Sequence, residues 1–269
     1  MFNLLKMDLR RLLRTRSFYI MLCVTAALLL TMVATMSAVT DQKKLDALQG
    51  TGMVVTSGDS EDMIELLRGM TRLDFVHECL GSGFLLLLTG IGVTLFVYSD
   101  FSSGFIKNLC FVRPRRWKYV LSKVLLTGVY SGVLTVLGVL VSLVSAPLFG
   151  IRLETSPIGD MLRYVFWMWL PNWAFGLMGL GLVLLTRGST LGIILAIVSG
   201  GGLTAAILQS VCHRFGWPDL AQYLLSAVVA YQCVPAPDGN QMVMILGCSI
   251  GWAALYAAGS LLAMEKRDI

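Results

Sequence analysis

The chain has 269 residues, of which 56% are hydrophobic and only 14% are charged. About a quarter of the residues in a typical soluble domain are charged, so this composition excludes a soluble enzyme, a disordered protein and a small disulfide scaffold. Six stretches of 21–23 residues lack Asp, Glu, Lys and Arg. At about 1.5 Å per residue each can cross the ~30 Å hydrocarbon core of a bilayer. The predicted fold is an all-α integral membrane protein with spans at 17–38, 79–99, 124–146, 164–186, 190–211 and 240–262.

Residues 1–16 precede the first predicted span and have a helical pattern of their own. Lys6, Arg10 and Arg14 follow one another at every fourth residue and share one face. This pattern is typical of an amphipathic helix that lies in the plane of the membrane interface. A plain basic flank is the alternative, and a cleaved signal peptide is disfavoured because the following apolar run is too long. The apolar face would contain Phe2, Leu5, Leu9, Leu12 and Leu13.

The basic residues also predict how the chain is oriented. Six spans place both termini on one side of the membrane. If that side is the cytoplasm, inner segments contain 14 Lys and Arg and outer segments 7, whereas acidic residues number 4 inside and 12 outside. This excess predicts an N-in, C-in topology for the six-span domain, residues 17–269. The net charge of +5 needs no nucleic-acid partner, and the basic residues suit anionic membrane lipids.

Two outer segments are predicted to contain short helices. The larger segment, 39–78, begins as a glycine-rich loop and is expected to continue as a helix from Ser60, its N-cap, to Glu78. The last segment, 212–239, contains an uncharged run over 220–234 that is too short to span. A single re-entrant or interfacial helix is expected there, capped by Asp219. Its predicted apolar stripe is Leu220, Leu224, Ala227 and Tyr231.

Glycines in the spans predict close helix packing and one break. Gly-x-x-x-Gly pairs occur at Gly128 and Gly132 in the third predicted span and at Gly247 and Gly251 in the sixth. Small residues of this kind let helix backbones approach closely in a membrane. Three consecutive glycines in the fifth span would weaken a helix without adding contact area, so a local break or hinge is expected there. They are Gly200, Gly201 and Gly202.

The sequence lacks the motifs of most catalytic mechanisms. No Gly-x-x-x-x-Gly-Lys-Ser/Thr loop is present to bind ATP phosphates, and neither His-Glu-x-x-His nor Cys-x-x-Cys occurs. The predicted spans contain no Asp, Glu, Lys, Arg or His, which argues against a proton relay. No catalytic residue, bound cofactor or metal site is therefore predicted. Near the outer face, free thiols are favoured over a single disulfide among Cys79, Cys212 and Cys233.

The cytoplasmic loop 100–123 contains the most informative motif. Its six cations and Pro114 suggest a short helix across the cytoplasmic face, and a loop with only a topological role is the alternative. The motif reads Gly104-Phe105-Ile106-Lys107-Asn108-Leu109, followed by Arg115, Arg116, Tyr119, Ser122 and Lys123.

Together with the amphipathic N-terminal stretch and the six-span layout, this motif resembles the membrane subunits of bacterial ABC type-2 exporters. The resemblance is greatest to the permeases of bacitracin and lantibiotic self-protection systems. Phe105 stands where these proteins usually have Thr, and Arg113-Pro114 replaces a small glycine-containing turn. The resemblance covers the architecture of the whole chain but only some twenty residues by motif.

The resemblance implies a permease in the bacterial cell membrane that has no nucleotide site of its own. A separate ABC ATPase, carrying ATP and Mg²⁺, would dock on the N-terminal helix and the first cytoplasmic loop. Two identical or paralogous permeases would face each other and export an amphiphilic antimicrobial peptide, lantibiotic or drug-like compound by alternating access. The residues implied in coupling are Gly104, Phe105, Ile106, Lys107, Asn108, Arg115, Arg116 and Tyr119.

Three other functions fit parts of the pattern. A channel-like membrane protein would work without a nucleotide-binding partner. A membrane enzyme is weakened by the missing catalytic motifs. An ABC subunit that senses or blocks an antibiotic without transporting it would keep the same ATPase partner. Recovery of an ATPase with the purified chain would separate the first two functions from the ABC functions.

Overall fold

The computed structural model describes residues 2–39, 69–104, 116–217 and 220–266. Within these residues the chain is helical, and its extended pairing is limited to a single parallel bridge between Thr71 and Glu154. A short 3-10 turn covers Leu220–Tyr223. The α-helices of this part are α1 (Phe2–Arg14), α2 (Arg16–Val39), α3 (Arg72–Leu80), α4 (Phe84–Ser102), α5 (Arg116–Leu148), α6 (Ile158–Thr186), α7 (Thr190–Gly200), α8 (Leu203–Phe215), α9 (Leu225–Tyr231) and α10 (Gly239–Lys266).

Five of these helices, α2, α4, α5, α6 and α10, are long and apolar enough to cross a membrane. This confirms the prediction of a helical protein with several candidate spans. The predicted fifth span, 190–211, is instead the pair α7 and α8, which is bent by 62° and gives a sixth crossing only if it acts as one broken span. The spanning parts of the five long helices are Arg16–Ala38, Phe84–Ser102, Trp117–Leu148, Ile158–Thr186 and Gly239–Met264.

The break between α7 and α8 lies at the three consecutive glycines, as predicted. Gly201 follows the end of α7, and Gly202 has a φ of +77°, a left-handed conformation that glycine adopts without strain. Gly200 has a different role, in packing. A Cβ at Gly200 would lie 2.8 Å from both N and Cα of Leu87, so only glycine lets α7 approach α4 this closely.

Helix α6 is the centre of the bundle. About four-fifths of its most apolar window is buried (78%), and it contacts α4, α5, α7, α9 and α10. Glycines set the spacing to these neighbours. A Cβ at Gly179 would lie 2.7 Å from Thr94 Oγ1 and 3.0 Å from the carbonyl oxygen of Gly90. A Cβ at Gly176 would lie 2.6 Å from Thr127 Cγ2, so α6 contacts α4 and α5 at distances that larger residues would prevent.

Gly128 and Gly132 on α5 make room for tryptophan side chains of α6. A Cβ at Gly128 would lie 3.2 Å from Trp173 Nε1, and one at Gly132 would lie 3.3 Å from Trp169 Nε1. The two indole rings are stacked, with centroids 5.7 Å apart. Trp173 donates its indole N–H to the carbonyl of Val124 at 3.0 Å, and Trp169 donates to that of Gly128 at 2.8 Å. The glycine pair thus lets both indole donors find acceptors inside the bundle.

The second glycine pair does not pack against another helix of the described chain. No heavy atom would lie within 4 Å of a Cβ at Gly247 or Gly251. Helix α10 contacts α6 through a different face, where the Cβ of an alanine at Gly181 would lie 3.3 Å from Ser260 Oγ. Only 11% of the most apolar window of α10 is buried, so its glycine face is open.

The end of the bundle opposite α1, called the far end below, is covered by α3 and α9. The sequence predicts a helix from Ser60 to Glu78, but residues 60–68 lie outside the described part. The described helix α3 begins at Arg72, because Thr71 and Asp74 form a capping box. Thr71 Oγ1 accepts from the Asp74 N–H at 3.2 Å, and the Asp74 carboxylate accepts from the Thr71 N–H at 3.3 Å.

The prediction of one helix over 220–234 is wrong. The described chain forms the 3-10 turn, an extended residue at Leu224 and then α9, while the predicted cap Asp219 lies outside the described residues. The predicted stripe does not form on one helix, because Leu220 lies in the 3-10 turn and Leu224 is extended. Helix α9 packs against α6 and α10 and is buried at Leu225, Ala227, Val228 and Val229, of which only Ala227 belongs to the predicted stripe.

Candidate functional site

Helix α1 packs against the first turns of α5 and leaves its basic residues exposed. Leu12 is buried, and Leu5 and Leu9 are partly buried in the same apolar cluster. Leu13, which the sequence pattern assigns to this face, is exposed. α1 therefore uses part of its apolar face to contact the bundle. The exposed basic residues are Lys6, Arg10 and Arg14.

An acidic residue lies on the packed face of α1. Asp8 has no solvent exposure in the described chain, although it stands among leucines on an otherwise basic helix. Ser122 Oγ on α5 donates to Asp8 Oδ2 at 2.8 Å, and Lys123 Nζ donates to Asp8 Oδ1 at 3.1 Å. Both oxygens of the buried carboxylate thus have a donor from α5.

A second carboxylate lies on the other side of Lys123. Asp100, near the end of α4, is fully buried, and its Oδ2 is 2.7 Å from Lys123 Nζ. Tyr119 donates its hydroxyl hydrogen to the same oxygen at 2.9 Å. Arg11 Nη1 on α1 lies 2.9 Å from Asp100 Oδ1. We refer to Asp8, Arg11, Asp100 and Lys123, with Tyr119 and Ser122, as the ion cluster.

The ion cluster contains two negative and two positive side chains and is therefore neutral. Moving a charged side chain from water into a protein interior costs several kcal/mol per ion, so burial is tolerated only where partners and hydrogen bonds offset that cost. Lys123, which is 1% exposed, bridges both carboxylates. Its ammonium group also lies 4.4 Å from the ring centroid of Phe96, a favourable cation–π geometry.

The ion cluster joins three separate parts of the chain. It connects α1 to the last turn of α4 and to the second and third turns of α5. The latter two helices are the stems of the cytoplasmic loop predicted at 100–123. Ala263 and Met264, near the end of α10, lie in the same apolar cluster as Leu12 and Phe18. Both described ends of the chain are therefore at the same end of the bundle.

The residues predicted to couple to an ATPase have different positions relative to this cluster. Gly104 follows α4 with a φ of +68°, and a Cβ there would meet no heavy atom within 4 Å. Arg116 begins α5. Tyr119 is completely buried and donates to Asp100, so its predicted contribution to coupling would be indirect and would not involve contact with a partner. The predicted residues Phe105, Ile106, Lys107, Asn108 and Arg115 lie outside the described part.

The described helices extend beyond the predicted uncharged spans and include charged residues. Asp100 and Lys123 belong to helices α4 and α5, in stretches long and apolar enough to cross a membrane. The spacing of Tyr119, Ser122 and Lys123 at i, i+3 and i+4 now has a physical reason, since it places all three on one face of α5. Asp8 could have been found from the sequence, because an acidic residue on an apolar helical face needs a buried partner.

Other chemistry is sparse in the described part of the chain. Among these residues no three His, Cys, Asp or Glu side chains are grouped so that they could hold a metal ion. The described cysteines are free thiols, including the three that the sequence places near the outer face. They are Cys23, Cys79, Cys212, Cys233 and Cys248.

Comparison with models of known protein families finds no match, and comparison with curated protein sequences finds no significant match. Function must therefore be inferred from the ion cluster, from the loop whose stems it holds and from the motif within that loop.

Proposed function

We propose that the chain is the permease subunit of a bacterial ABC type-2 exporter, driven by a separate ATPase that docks at the α1 end of the bundle. The observation that supports this proposal is the ion cluster, which ties α1 to both stems of the cytoplasmic loop. The chain is N-in and C-in in this proposal, and the exposed basic face of α1 faces cytoplasmic headgroups or the ATPase.

The energetics of the ion cluster favour a mechanical role. Apolar side chains of similar volume are often as stabilising as a buried ion network, or more so, whereas a network fixes one relative position of its helices. Here the fixed parts are α1, α4 and α5. Any force applied to residues between Gly104 and Arg116 would therefore move these three helices together. This is the property expected of a loop that transmits the closure of ATPase subunits to a membrane domain.

The proposed cargo is an amphiphilic antimicrobial peptide, lantibiotic or similar compound, which would make the transporter a resistance or immunity system. Apart from Asp160 and the exposed Arg163 at the far end, the described spans carry their charges near the α1 end, and their remaining length is apolar with many methionine and phenylalanine residues. Such surfaces bind apolar groups through contact area and adapt to varied shapes. A second permease, identical or paralogous, would complete the path on the lightly buried side of the bundle.

Co-purification tests the proposal directly. The tagged chain is extracted from its native membranes in mild detergent, and ATP hydrolysis is measured in the purified material. We expect a separate ATP-hydrolysing subunit to be recovered in a fixed ratio to the chain. Movement of solute by the purified chain alone in liposomes would contradict the proposal and support a channel-like protein.

Loop variants then test the assignment of the coupling surface. Lys107→Ala and Arg116→Ala should reduce transport-linked ATP hydrolysis by about 5- to 150-fold, the range of typical coupling free energies between sites. Arg163→Gln is the matched control, because Arg163 is an exposed cation in α6 at the far end. Unchanged recruitment and stimulation of the ATPase by both loop variants would show that coupling occurs elsewhere.

A further inference from the structure

A recess at the far end contains two arginines that the proposed transport mechanism does not use. It lies between the beginning of α3, the end of α5, the connecting segment 149–157 and the beginning of α6, and its volume is about 710 Å³. Arg72 and Arg152, both of them exposed, are among its lining residues. Its apolar wall includes Leu143, Ile151, Ile158 and Met161. We refer to this cavity as the arginine recess.

The backbones that carry the two arginines are held together by hydrogen bonds. The Arg72 N–H donates to the carbonyl of Glu154 at 3.0 Å, and the Glu154 N–H donates to the carbonyl of Met70 at 3.2 Å. The Leu73 N–H donates to Ser156 Oγ at 3.1 Å. The connecting segment is thereby fixed to the first turn of α3. A ligand bound by both guanidinium groups would therefore contact two backbone segments whose relative position is already fixed.

The guanidinium groups of the arginine recess have no acidic partner among the described residues. An acidic residue close to both arginines along the backbone is the exposed Glu154, which forms no ion pair with either of them. Asp74 accepts hydrogen bonds from Thr71 in the capping box, and Asp160 lies 3.9 Å from Arg163. Two arginines without an acidic partner among the described residues thus line a cavity whose other lining residues are mostly apolar.

The position of the arginine recess matches the boundary between hydrocarbon and headgroups. It lies where α5 ends and α6 begins, and both are candidate spans. Leu148, Ile158 and Leu162 around these helix ends are exposed, as expected for side chains in contact with lipid. Arginine at the end of a span commonly reaches the phosphate level while its aliphatic part remains among apolar groups.

We propose that the arginine recess binds the headgroup phosphate of an anionic phospholipid, with the first part of an acyl chain along its apolar wall. Guanidinium groups form paired, charge-assisted hydrogen bonds with phosphate oxygens, which ammonium groups reproduce less well. The apolar wall favours a phospholipid over a free phosphate, because a soluble anion would leave Leu143 and Ile158 uncovered. This proposal does not depend on the transport function.

Native mass spectrometry of the full-length chain tests it, with phosphatidylglycerol and phosphatidylcholine as probes. The wild-type protein should retain phosphatidylglycerol in preference to phosphatidylcholine. Arg72→Gln/Arg152→Gln should reduce that preference about tenfold or more, since each hydrogen bond to a charged group contributes measurably to affinity. Arg163→Gln, a cation at the same end but outside the recess, should leave the preference unchanged.

Two further binding measurements complete the test. One distinguishes the effect of positive charge from that of guanidinium geometry, and the other distinguishes a phospholipid from a free phosphate. The variant Arg72→Lys/Arg152→Lys keeps both charges, and we expect it to fold and to retain an intermediate preference. Glycerol phosphate offers the phosphate without acyl chains and should compete weakly. Equal binding of glycerol phosphate, or an unchanged lipid preference in folded Arg152→Gln and in the double glutamine variant, would overturn the proposal.

Discussion

The two ends of the bundle are held together by different interactions. At the α1 end, Asp8, Asp100 and Lys123 are buried charges that meet across three helices. At the far end the described residues include no buried ion pair, and the half-buried His77 places its Nδ1 3.3 Å from the Tyr164 hydroxyl. Close backbone packing complements this contact, since α7 reaches α4 at Gly200.

This difference has consequences for stability and movement. A neutral, close-packed end loses little when one polar group is removed, but it tolerates added volume poorly. An end held by a charge network tolerates small changes in volume but depends on every charge being matched. We therefore expect substitutions that change charge to destabilise the α1 end most, and substitutions that change side-chain volume to destabilise the far end most.

The largest effect is expected from the loss of Lys123. Lys123→Met leaves the carboxylates of Asp8 and Asp100 buried with only Arg11 to balance them. The free energy of unfolding should fall by about 3–5 kcal/mol, as for other buried ion pairs that lose one partner. Unfolding of the detergent-solubilised protein in a denaturant series measures the change. Lys118→Met is the control, because Lys118 lies on the same helix but outside the ion cluster.

Charge balance predicts a rescue that simple packing does not. In Lys123→Met/Asp8→Asn the remaining pair, Arg11 and Asp100, is again neutral, and Ser122 can still hydrogen-bond to the new amide. The double variant should therefore be more stable than Lys123→Met alone. If the two substitutions add to a larger loss, the ion cluster is not held by its charge balance and the comparison of the two ends fails.

Much of the helical architecture follows from the sequence, but the ion cluster does not. Spans chosen for the absence of charge must end before a charged residue, so the predicted boundaries 79–99 and 124–146 stop one residue short of Asp100 and Lys123. The helices continue through both positions, and the two side chains form an ion pair. Pairing over such sequence separations depends on the tertiary fold, which the local pattern does not contain.

The glycines illustrate the same division between local and tertiary information. A break at three consecutive glycines is a local property of the backbone, and the sequence predicts it correctly at Gly200–Gly202. The partner of a glycine pair is not local. Tryptophan side chains pack against Gly128 and Gly132, whereas a Cβ at Gly247 or Gly251 would have no described heavy atom within 4 Å. Identical spacing therefore produces one interhelical contact and one open surface.

Added volume at the far end should have the next largest effect. In Gly200→Ala the new methyl group would lie 2.8–2.9 Å from Leu87 backbone and side-chain atoms, and backbone atoms cannot rotate away. We expect a loss of about 1–3 kcal/mol in the free energy of unfolding, as for other overpacked sites. Gly247→Ala adds the same methyl group where no atom lies within 4 Å. Equal destabilisation by both variants would contradict the packing argument, because helix propensity by itself favours alanine over glycine inside α10.

A smaller effect is expected from one neutral hydrogen bond in the half of the bundle that contains the ion cluster. Trp173→Phe keeps an aromatic ring but removes the N–H that the Val124 carbonyl accepts. The expected loss is about 0.5–1.5 kcal/mol, the usual net contribution of such a bond. Trp217→Phe changes an exposed tryptophan and serves as the control in the same denaturant series. A loss as large as that of Lys123→Met would mean that charge does not distinguish this end.

The smallest expected effect is a pH dependence at the far end. Partial burial lowers the pKa of His77 below its ordinary value of about 6.5, and this outweighs the opposing influence of Glu78, Asp74 and the backbone of Cys233. Protonation of His77 is therefore less favourable in the folded protein than in the unfolded chain, so stability should fall as the pH decreases from about 6.5 toward the lower folded pKa.

The test is the free energy of unfolding, measured between pH 7 and pH 5. Its dependence on pH should become weaker in His77→Gln. His213→Gln, at an exposed histidine, is the control for the loss of an imidazole elsewhere in the chain. An unchanged slope in His77→Gln would mean that the contact with Tyr164 does not depend on a neutral imidazole.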